Sequence, residues 1–306
     1  MTPNKVTIVP LQAVEDLTGL PQPLMDNLWI EDCGELLSPA HFSLWKEFLS
    51  TRDVETLKSF RKALVHRFHS DGHVGREEAS SDHLVNDVFT ALRLIKPTRM
   101  RFSRFQCRIL EDGRLDLFSF TSPSEAPLQV PDSEALNRIT DDDIYKLKRF
   151  LPPFLAMSKH GSSNLYRATY YYSTGYVGAQ DLALQFISWF MGIEASLSSE
   201  DGPLRQTDLI QRIQDTIDPD QDIYADYPVP YLHLPSVTVR QVLPDLFRLR
   251  NELVHGGWTS QWITGITRPA ITGGEKSYRE ILAEAAPFIL RKLLVQLIEA
   301  YVETGA

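Results

Sequence analysis

Cysteine is scarce in this chain, which contains only Cys33 and Cys107 among its 306 residues. Two cysteines in unrelated sequence contexts support neither a disulfide framework nor a cysteine metal cluster. No apolar run reaches the roughly 20 residues that a membrane-spanning helix needs, and the opening segment, M-T-P-N-K-V-T-I-V-P, lacks the apolar core of a signal peptide. These absences predict a cytoplasmic protein without a membrane partner.

Positive charge is also in short supply. The chain carries 31 lysines and arginines against 40 aspartates and glutamates, which gives a net charge of −9. This balance excludes a protein that coats nucleic acid through bulk charge, so an RNA ligand would have to be held locally. With 43% apolar residues, the chain can form two packed domains of roughly 100–200 residues each.

The first domain, residues 1–135, has a mixed pattern that predicts an α/β fold. Two short β-prone segments, V-T-I-V-P-L and N-L-W-I, come first. Start signals from serine or aspartate then predict helices over residues 38–49, 53–69 and 81–95. The Asp112-Gly113 turn separates two further β-prone runs and predicts a hairpin. The serine- and proline-rich residues 122–133 are predicted to be a linker.

The second domain, residues 136–306, has mainly helical patterns. A helix is predicted to begin at Thr140, where the following aspartates favour the positive end of the helix dipole, and to be interrupted at Pro152-Pro153. Further helices are predicted over residues 162–175, 180–199, 204–217, 236–255 and 275–304, the last one kinked at Pro287. The predicted fold class is therefore an α+β N-terminal domain followed by an all-α helical-bundle C-terminal domain.

The most informative stretch is Ser236–Gly257. Its apolar residues recur at three- and four-residue steps, which predicts a helix with one buried face formed by Val239, Val242, Leu243, Leu246, Phe247, Leu253 and Val254. Arg250 lies on that face, and a guanidinium in an apolar stripe normally contacts a carboxylate or a phosphate. His255 follows, and Gly256-Gly257 predict the helix end because glycine readily adopts the left-handed cap conformation.

Helical geometry separates the polar residues of this stretch. At about 100° per residue, Asn251 and His255 share one side of the helix, whereas Arg250 and His255 are roughly 140° apart. The asparagine could therefore hold the imidazole, while Arg250 would have to reach around the helix or meet a neighbouring chain. Glu194, on the apolar stretch I-S-W-F-M-G-I-E-A-S-L, is expected to pair with Arg250 or to orient the histidine. The pairing is favoured because a buried glutamate usually needs a cation.

The segment R-N-E-L-V-H-G at 250–256, together with A-L-Q-F-I-S-W-F-M-G-I-E-A-S-L at 183–197, resembles the HEPN domain, and specifically its ApeA-like branch. The resemblance covers residues 139–306. It implies an all-helical, dimeric ribonuclease that needs no metal or other cofactor, in a toxin or phage-defence setting. The motif positions correspond here to Arg250, Asn251, His255 and Glu194. The chain departs from many members because no tyrosine follows two residues after the histidine.

Two other functions remain open at this stage. The same helices could form a non-catalytic dimerisation module that binds a nucleotide or a protein partner. A metal-dependent enzyme could instead use N-terminal imidazoles and carboxylates, since both suit zinc; these are His66, His69, His73, His83, Asp71 and Asp82. Their polar, glycine-rich surroundings are typical of a solvated loop, so no metal site is predicted. Residues 1–135 are expected to be an accessory domain that contacts a regulatory protein or ligand.

A cation-rich run at residues 93–108 is the remaining candidate for contact with RNA. It contains no acidic residue, and its candidate RNA-binding side chains are Arg99, Arg101, Arg104 and Arg108. Phe102 and Phe105 lie between these cations, and aromatic rings among cations are what single-stranded nucleic acid binding uses. The alternative is a strand edge that its charges protect from aggregation.

Overall fold

The computed structural model describes residues 2–11, 17–32, 34, 45, 49, 60–70, 76–98, 103–121, 138–159, 163–177, 182–198, 204–226, 236–255, 267–269 and 275–304. Their helices and strands are, in chain order, β1 (Lys5–Leu11), β2 (Gln22–Met25), β3 (Leu28–Asp32), β4 (Lys62–Phe68), α1 (Arg76–Ile95), β5 (Arg104–Ile109), β6 (Leu115–Thr121), α2 (Asp141–Lys159), α3 (Asn164–Val177), α4 (Leu182–Leu197), α5 (Gln206–Thr216), α6 (Val239–Val254), β7 (Thr267–Pro269), β8 (Glu275–Ser277) and α7 (Tyr278–Thr304).

Contacts divide the chain into two compact units. The sheet unit comprises residues 1–92, 98–124 and 137–150, and the helical unit comprises residues 93–97, 125–136 and 151–306. An antiparallel sheet region followed by helices agrees with the coarse prediction of fold class. The helical unit also contains the short paired strands β7 and β8, so the prediction of an all-α second half is wrong at residues 267–269 and 275–277. Glu275 therefore begins a strand, and the last helix starts at Tyr278.

The sheet unit is built on six antiparallel strands in the order β2-β3-β4-β1-β5-β6. The predicted strands V-T-I-V-P-L and N-L-W-I are confirmed as β1 and β3. Alternate side chains of β1 face a core, as the two-residue period of a strand requires. That core consists of Val6, Ile8, Trp45, Leu49, Ala63, Val65, Phe105, Cys107, Leu115 and Leu117.

Strand β4 corrects the prediction of a helix over residues 53–69. Lys62–Phe68 pairs with β1 on one side and with β3 on the other, so its backbone hydrogen bonds go to neighbouring strands. Ala63, Leu64 and Val65 are consecutive and all buried, which is typical of a strand covered on both faces. The prediction of a helix at these residues is wrong for this reason. The earlier part of the predicted helix, residues 53–59, lies outside the described residues.

The β5–β6 hairpin is confirmed, and its turn contains Gly113 at φ 79°, a backbone conformation that favours glycine. Helix α1 ends at Ile95, as expected from the proline that follows, but it begins at Arg76 and not at residues 81–82. The predicted helix over residues 38–49 is described only at Trp45 and Leu49. The predicted linker, residues 122–133, lies outside the described part of the chain.

Helix α2 differs from its prediction because it continues through Pro152 and Pro153. Each proline removes one backbone donor, but the buried side chains of Leu151, Phe154 and Leu155 flank the pair. Tertiary packing of these residues holds the helix together. The division between the two units falls inside α2, after Phe150, and the predicted boundary near residue 135 lies among residues that are not described.

The helical unit is organised around α7, in which every residue from Ile281 to Arg291 is buried. A helix that is covered on all sides belongs to a core. Its buried polar side chains are paired: Glu284 accepts a hydrogen bond from the Tyr224 hydroxyl at 2.6 Å, and Arg291 contacts Asp226. Helices α3 and α4 supply much of the remaining core through Tyr172, Phe186, Trp189 and Phe190.

Candidate active site at the end of helix α6

Capping fixes the start of α6. The Thr238 hydroxyl accepts a hydrogen bond from the Gln241 backbone N–H, and the Gln241 side chain accepts one from the Thr238 N–H at 2.9 Å. This reciprocal arrangement satisfies two donors that a helix start otherwise leaves open. The Val239 N–H also donates to the Gln221 carbonyl at 3.0 Å. The part of residues 218–235 that is described therefore anchors the helix that carries the candidate site.

The predicted buried face of α6 is confirmed over most of its length. Val239, Val242, Leu243, Leu246 and Phe247 are at most 5% exposed, and Leu249 is 1% exposed. The last turn departs from the prediction because Leu253 is only half-buried and Val254 is 54% exposed. The helix therefore leaves the core in its last turn, which contains the candidate residues.

Arg250 forms the predicted contact with Glu194. Its Nη2 lies 3.2 Å from Glu194 Oε1, and the two side chains are 34% and 36% exposed. Its Nη1 donates to Asn251 Oδ1 at 3.2 Å, and its guanidinium carbon lies 5.9 Å from the centroid of the Phe190 ring. The Phe190 ring in turn packs edge-on against Phe247 at 4.9 Å. Three partners from α4 and α6 thus fix the direction of one guanidinium.

His255 is the C-terminal cap residue of α6. Its backbone has φ −91° and ψ 10°, and its N–H donates to the Asn251 carbonyl at 3.1 Å. The imidazole is exposed, and it makes no hydrogen bond or ion pair to the described residues. The position of Asn251 on the helix had suggested that it holds this imidazole. It does not, because its side-chain oxygen contacts Arg250 instead.

These groups combine a fixed cation with an accessible imidazole. Guanidinium has five N–H donors, and Arg250 uses two of them on described residues. The others are available to a phosphate oxygen, because the side chain is one-third exposed. An imidazole titrates near neutral pH and can move a proton. Arg250 can therefore bind a phosphate oxygen, and the His255 imidazole can accept or donate a proton.

Phe190 is the contributor that sequence reasoning missed. It precedes Glu194 by four residues on α4, and residues at this spacing lie on the same helical face. Its ring makes a cation–π contact with the Arg250 guanidinium. The spacing was visible in the sequence, but Phe190 is also 1% exposed, so its apolar pattern indicated only core.

The described side chains of the cation-rich run at residues 93–108 have different surroundings. Arg93 is buried above the Tyr176 ring, and Arg104 Nη1 lies 3.0 Å from Asp82. Arg108 is exposed. Phe105 is buried in the sheet core, where its ring stacks on Trp45 at 5.8 Å. Arg99, Arg101 and Phe102 lie outside the described residues.

The N-terminal histidines have separate roles in the sheet unit. His66 Nδ1 lies 2.8 Å from the Ser81 hydroxyl, and burial lowers the pKa of His66 to about 4. His69 Nδ1 contacts the Thr2 carbonyl, and His83 is exposed. Asp71 and His73 lie outside the described residues. Within the described ranges, no three histidine, cysteine, aspartate or glutamate side chains are grouped as a metal ion would require.

Comparison with protein-family models, with curated proteins and with solved structures finds no match to this chain. Within the described residues, no helix is both long and apolar enough to span a membrane. The resemblance to the HEPN domain consequently depends on the motif residues of the sequence.

Proposed function

We propose that this protein is a metal-independent endoribonuclease of HEPN type that acts in the cytoplasm, in a toxin or phage-defence setting. One observation carries the proposal. Glu194 and Asn251 hold the Arg250 guanidinium while leaving N–H donors available for a phosphate, and the exposed His255 imidazole follows five residues later at the helix end. RNA is the substrate class that such a pair can cleave without a metal.

The reaction follows from the chemistry of the two side chains. Cleavage at a 2′-hydroxyl needs a group that removes its proton and a cation that stabilises the charged phosphorane. The His255 imidazole supplies the proton transfer and the Arg250 guanidinium the positive charge. Glu194 fixes the arginine, and Asn251 fixes it from the other side. Attack of the 2′-oxygen on phosphorus breaks the P–O5′ bond, and the protonated imidazole gives its proton to the leaving 5′-oxygen. The products are therefore a 2′,3′-cyclic phosphate and a 5′-hydroxyl.

A homodimer completes the proposed site. Arg250 and His255 diverge by roughly 140° on α6, so two copies that meet at this helix would bring their polar groups into one cleft. Exposed apolar side chains accompany the site: Leu184 and Met191 share a helical face with Glu194 on α4, and Val254 follows Arg250 on α6. Burial of such side chains would favour association.

The sheet unit is proposed to recruit or regulate. Of its described histidines, His66 contacts Ser81, His69 contacts the Thr2 carbonyl and His83 is exposed. Its described cysteine, Cys107, is buried. Burial raises the pKa of that thiol, which opposes formation of the nucleophilic thiolate. A regulatory protein or ligand is therefore the expected partner of this unit.

The second candidate is a non-catalytic module that dimerises and binds a nucleotide or a protein. It is favoured by one observation, namely that no described residue orients the His255 imidazole. In that case the Arg250–Glu194 pair would be structural.

A ribonuclease assay with excess chelator separates these functions. Purified full-length protein is incubated with a mixed RNA, with and without the chelator. The proposal predicts cleavage that the chelator leaves unchanged. Loss of cleavage with chelator would indicate a metal enzyme, and the absence of any cleavage would favour the non-catalytic module.

A further inference from the structure

One row of side chains crosses the sheet on the face opposite its core. Phe68 on β4, Lys5 on β1, Arg108 on β5 and Asp116 on β6 are successive in-register partners. Directly paired residues of antiparallel strands project from the same face. Their neighbours Val6 and Cys107 belong to the core, so the row lies on the other face. With strands about 4.8 Å apart, it extends over roughly 14 Å.

Phe118 adds an aromatic ring at one end of this row. Lys5 Nζ lies 5.5 Å from its centroid, and the guanidinium carbon of Arg108 lies 5.6 Å from it. The register of β5 and β6 shifts beside this residue, and such bulges commonly redirect a side chain. At the other end, the Phe68 ring stacks on His66 at 5.2 Å. Two cations therefore lie between two aromatic rings.

Two like charges face each other in the row. Like charges directly opposite each other destabilise a sheet, yet Lys5 and Arg108 are such a pair. Lys5 is fixed by a hydrogen bond from its Nζ to the Ser70 hydroxyl at 3.0 Å. Arg108 is exposed and makes no ion pair with a described carboxylate, although Asp116 is its partner on β6.

Protection of a sheet edge does not explain Arg108. Strand β5 lies between β1 and β6, so it has no open edge that a charge would need to protect. The next row of the same face is occupied differently, because Ser81 contacts Thr7 and His66 there. The aromatic and cationic row is thus a separate feature of this face.

We propose that a strand of single-stranded nucleic acid crosses the sheet along this row. A backbone phosphate lies between Lys5 and Arg108, and bases stack against Phe118 and Phe68. Cations for phosphates and rings for bases are the two components of such sites. The surface is distinct from the candidate active site, and it does not depend on whether that site cleaves RNA.

Binding is measured by fluorescence anisotropy with the full-length protein and a labelled oligothymidylate of about a dozen nucleotides. This probe has no 2′-hydroxyl, so cleavage by the proposed ribonuclease does not interfere. Phe118→Leu is expected to weaken binding about tenfold, through loss of one stacking surface. Arg108→Gln is expected to weaken binding and to reduce the salt slope by about 0.7, the value for one phosphate contact on a single strand.

Arg114→Gln is the matched control, because Arg114 belongs to the same hairpin and is half-exposed but pairs with Asp112. It makes the same change of charge and should leave affinity within about twofold of the wild type, as expected for a residue outside the site. A duplex of the same length should bind more weakly, since its bases cannot stack on the rings. Equal losses in Arg108→Gln and Arg114→Gln, duplex binding as tight as single-strand binding, or no binding by the wild type would each overturn the proposal.

Discussion

The positive charge of Arg250 is only partly compensated by its neighbours, so it remains available to a bound anion. Its side chain is 34% exposed and contacts one carboxylate, one amide oxygen and one aromatic ring. An exposed or half-exposed ion pair contributes only about 0–1 kcal/mol to stability. The contacts with Glu194 and Asn251 consequently orient the guanidinium more than they stabilise the fold.

Replacement of Arg250 by lysine tests this orientation. A point charge on a flexible stem cannot reproduce a planar fork with several donors, so ribonuclease activity should fall about 10²-fold or more, as when one stabilising donor is lost. The melting temperature should change little. Arg240→Lys is the control on the same helix, because Arg240 is exposed and pairs only with Asp220. Equal activities of the two variants would remove Arg250 from the reaction.

His66 makes stability depend on pH. Burial lowers its pKa to about 4 from an ordinary value of 6.5, so the unfolded chain binds a proton more tightly than the folded chain between these values. The contribution of neutral His66 to the free energy of unfolding is fully present above pH 6.5 and is lost as the pH falls towards 4. The loss is at most about 3.5 kcal/mol, because each pKa unit corresponds to about 1.4 kcal/mol.

His66→Gln separates this effect from the titration of carboxylates. Glutamine keeps a hydrogen-bonding group near Ser81 but does not titrate, so the difference in urea midpoint between variant and wild type should shrink or reverse as the pH falls from 7 to about 4.5. A difference that stays constant over this range would show that His66 is not responsible.

Helices α3 and α4 meet at a position where only glycine fits. A Cβ at Gly175 would lie 2.2 Å from Trp189 Nε1. Trp189 is fully buried, and its indole N–H donates to the Tyr172 carbonyl at 3.2 Å. The tryptophan therefore cannot move aside without losing that hydrogen bond.

Gly175→Ala should destabilise the protein by about 1–3 kcal/mol, which is the usual effect of overpacking a core. Helix propensity alone predicts the opposite sign, a gain of about 1 kcal/mol. Denaturant unfolding decides between them, with Ser173→Ala on the same helix as the control. A stabilised Gly175→Ala variant would contradict the described packing of α3 on α4.

Local sequence patterns correctly predicted those helices and strands whose conformation is determined mainly by neighbouring residues. The Asp112-Gly113 turn and the apolar spacing of α6 were sufficient, because a hairpin turn and a half-buried helix are encoded by neighbouring residues. Strand β4 was not predictable in this way, since its pairing with β1 and β3 is formed by residues far away in the chain. The continuation of α2 through Pro152 and Pro153 likewise depends on tertiary packing.

The contacts of the candidate site were likewise predictable only in part. Spacing and residue type identified the contact between Glu194 and Arg250. Each of these residues is a charged side chain on an apolar helix face, and such a side chain requires a partner of opposite charge. They did not identify Phe190 as the ring beneath Arg250 or Asn251 as a partner of the arginine. These contacts depend on the rotamers of side chains on two packed helices, which a sequence does not specify.

The proposed dimer concerns the whole molecule. Met191 is 41% exposed on the face of α4 that carries Glu194, so a charge placed there should prevent association by desolvation and by repulsion from that glutamate. Sedimentation of the full-length wild type at micromolar concentration should give a dimer, and Met191→Glu a monomer. Met25→Glu is the control, because Met25 is similarly exposed, at 36%, in the sheet unit. A monomeric wild type, or a dimeric Met191→Glu, would reject this interface.

The central claim is that His255 and Arg250 cleave RNA through its 2′-hydroxyl, and end-group analysis of the products tests it most directly. Full-length wild type, His255→Ala and His83→Ala are compared on one RNA, since His83 is an exposed histidine far along the chain from the site. We predict 2′,3′-cyclic phosphate and 5′-hydroxyl ends, a loss of about 10²–10⁴-fold in His255→Ala, and unchanged activity in His83→Ala. Products with 5′-phosphate ends, or full activity in His255→Ala, would contradict the account.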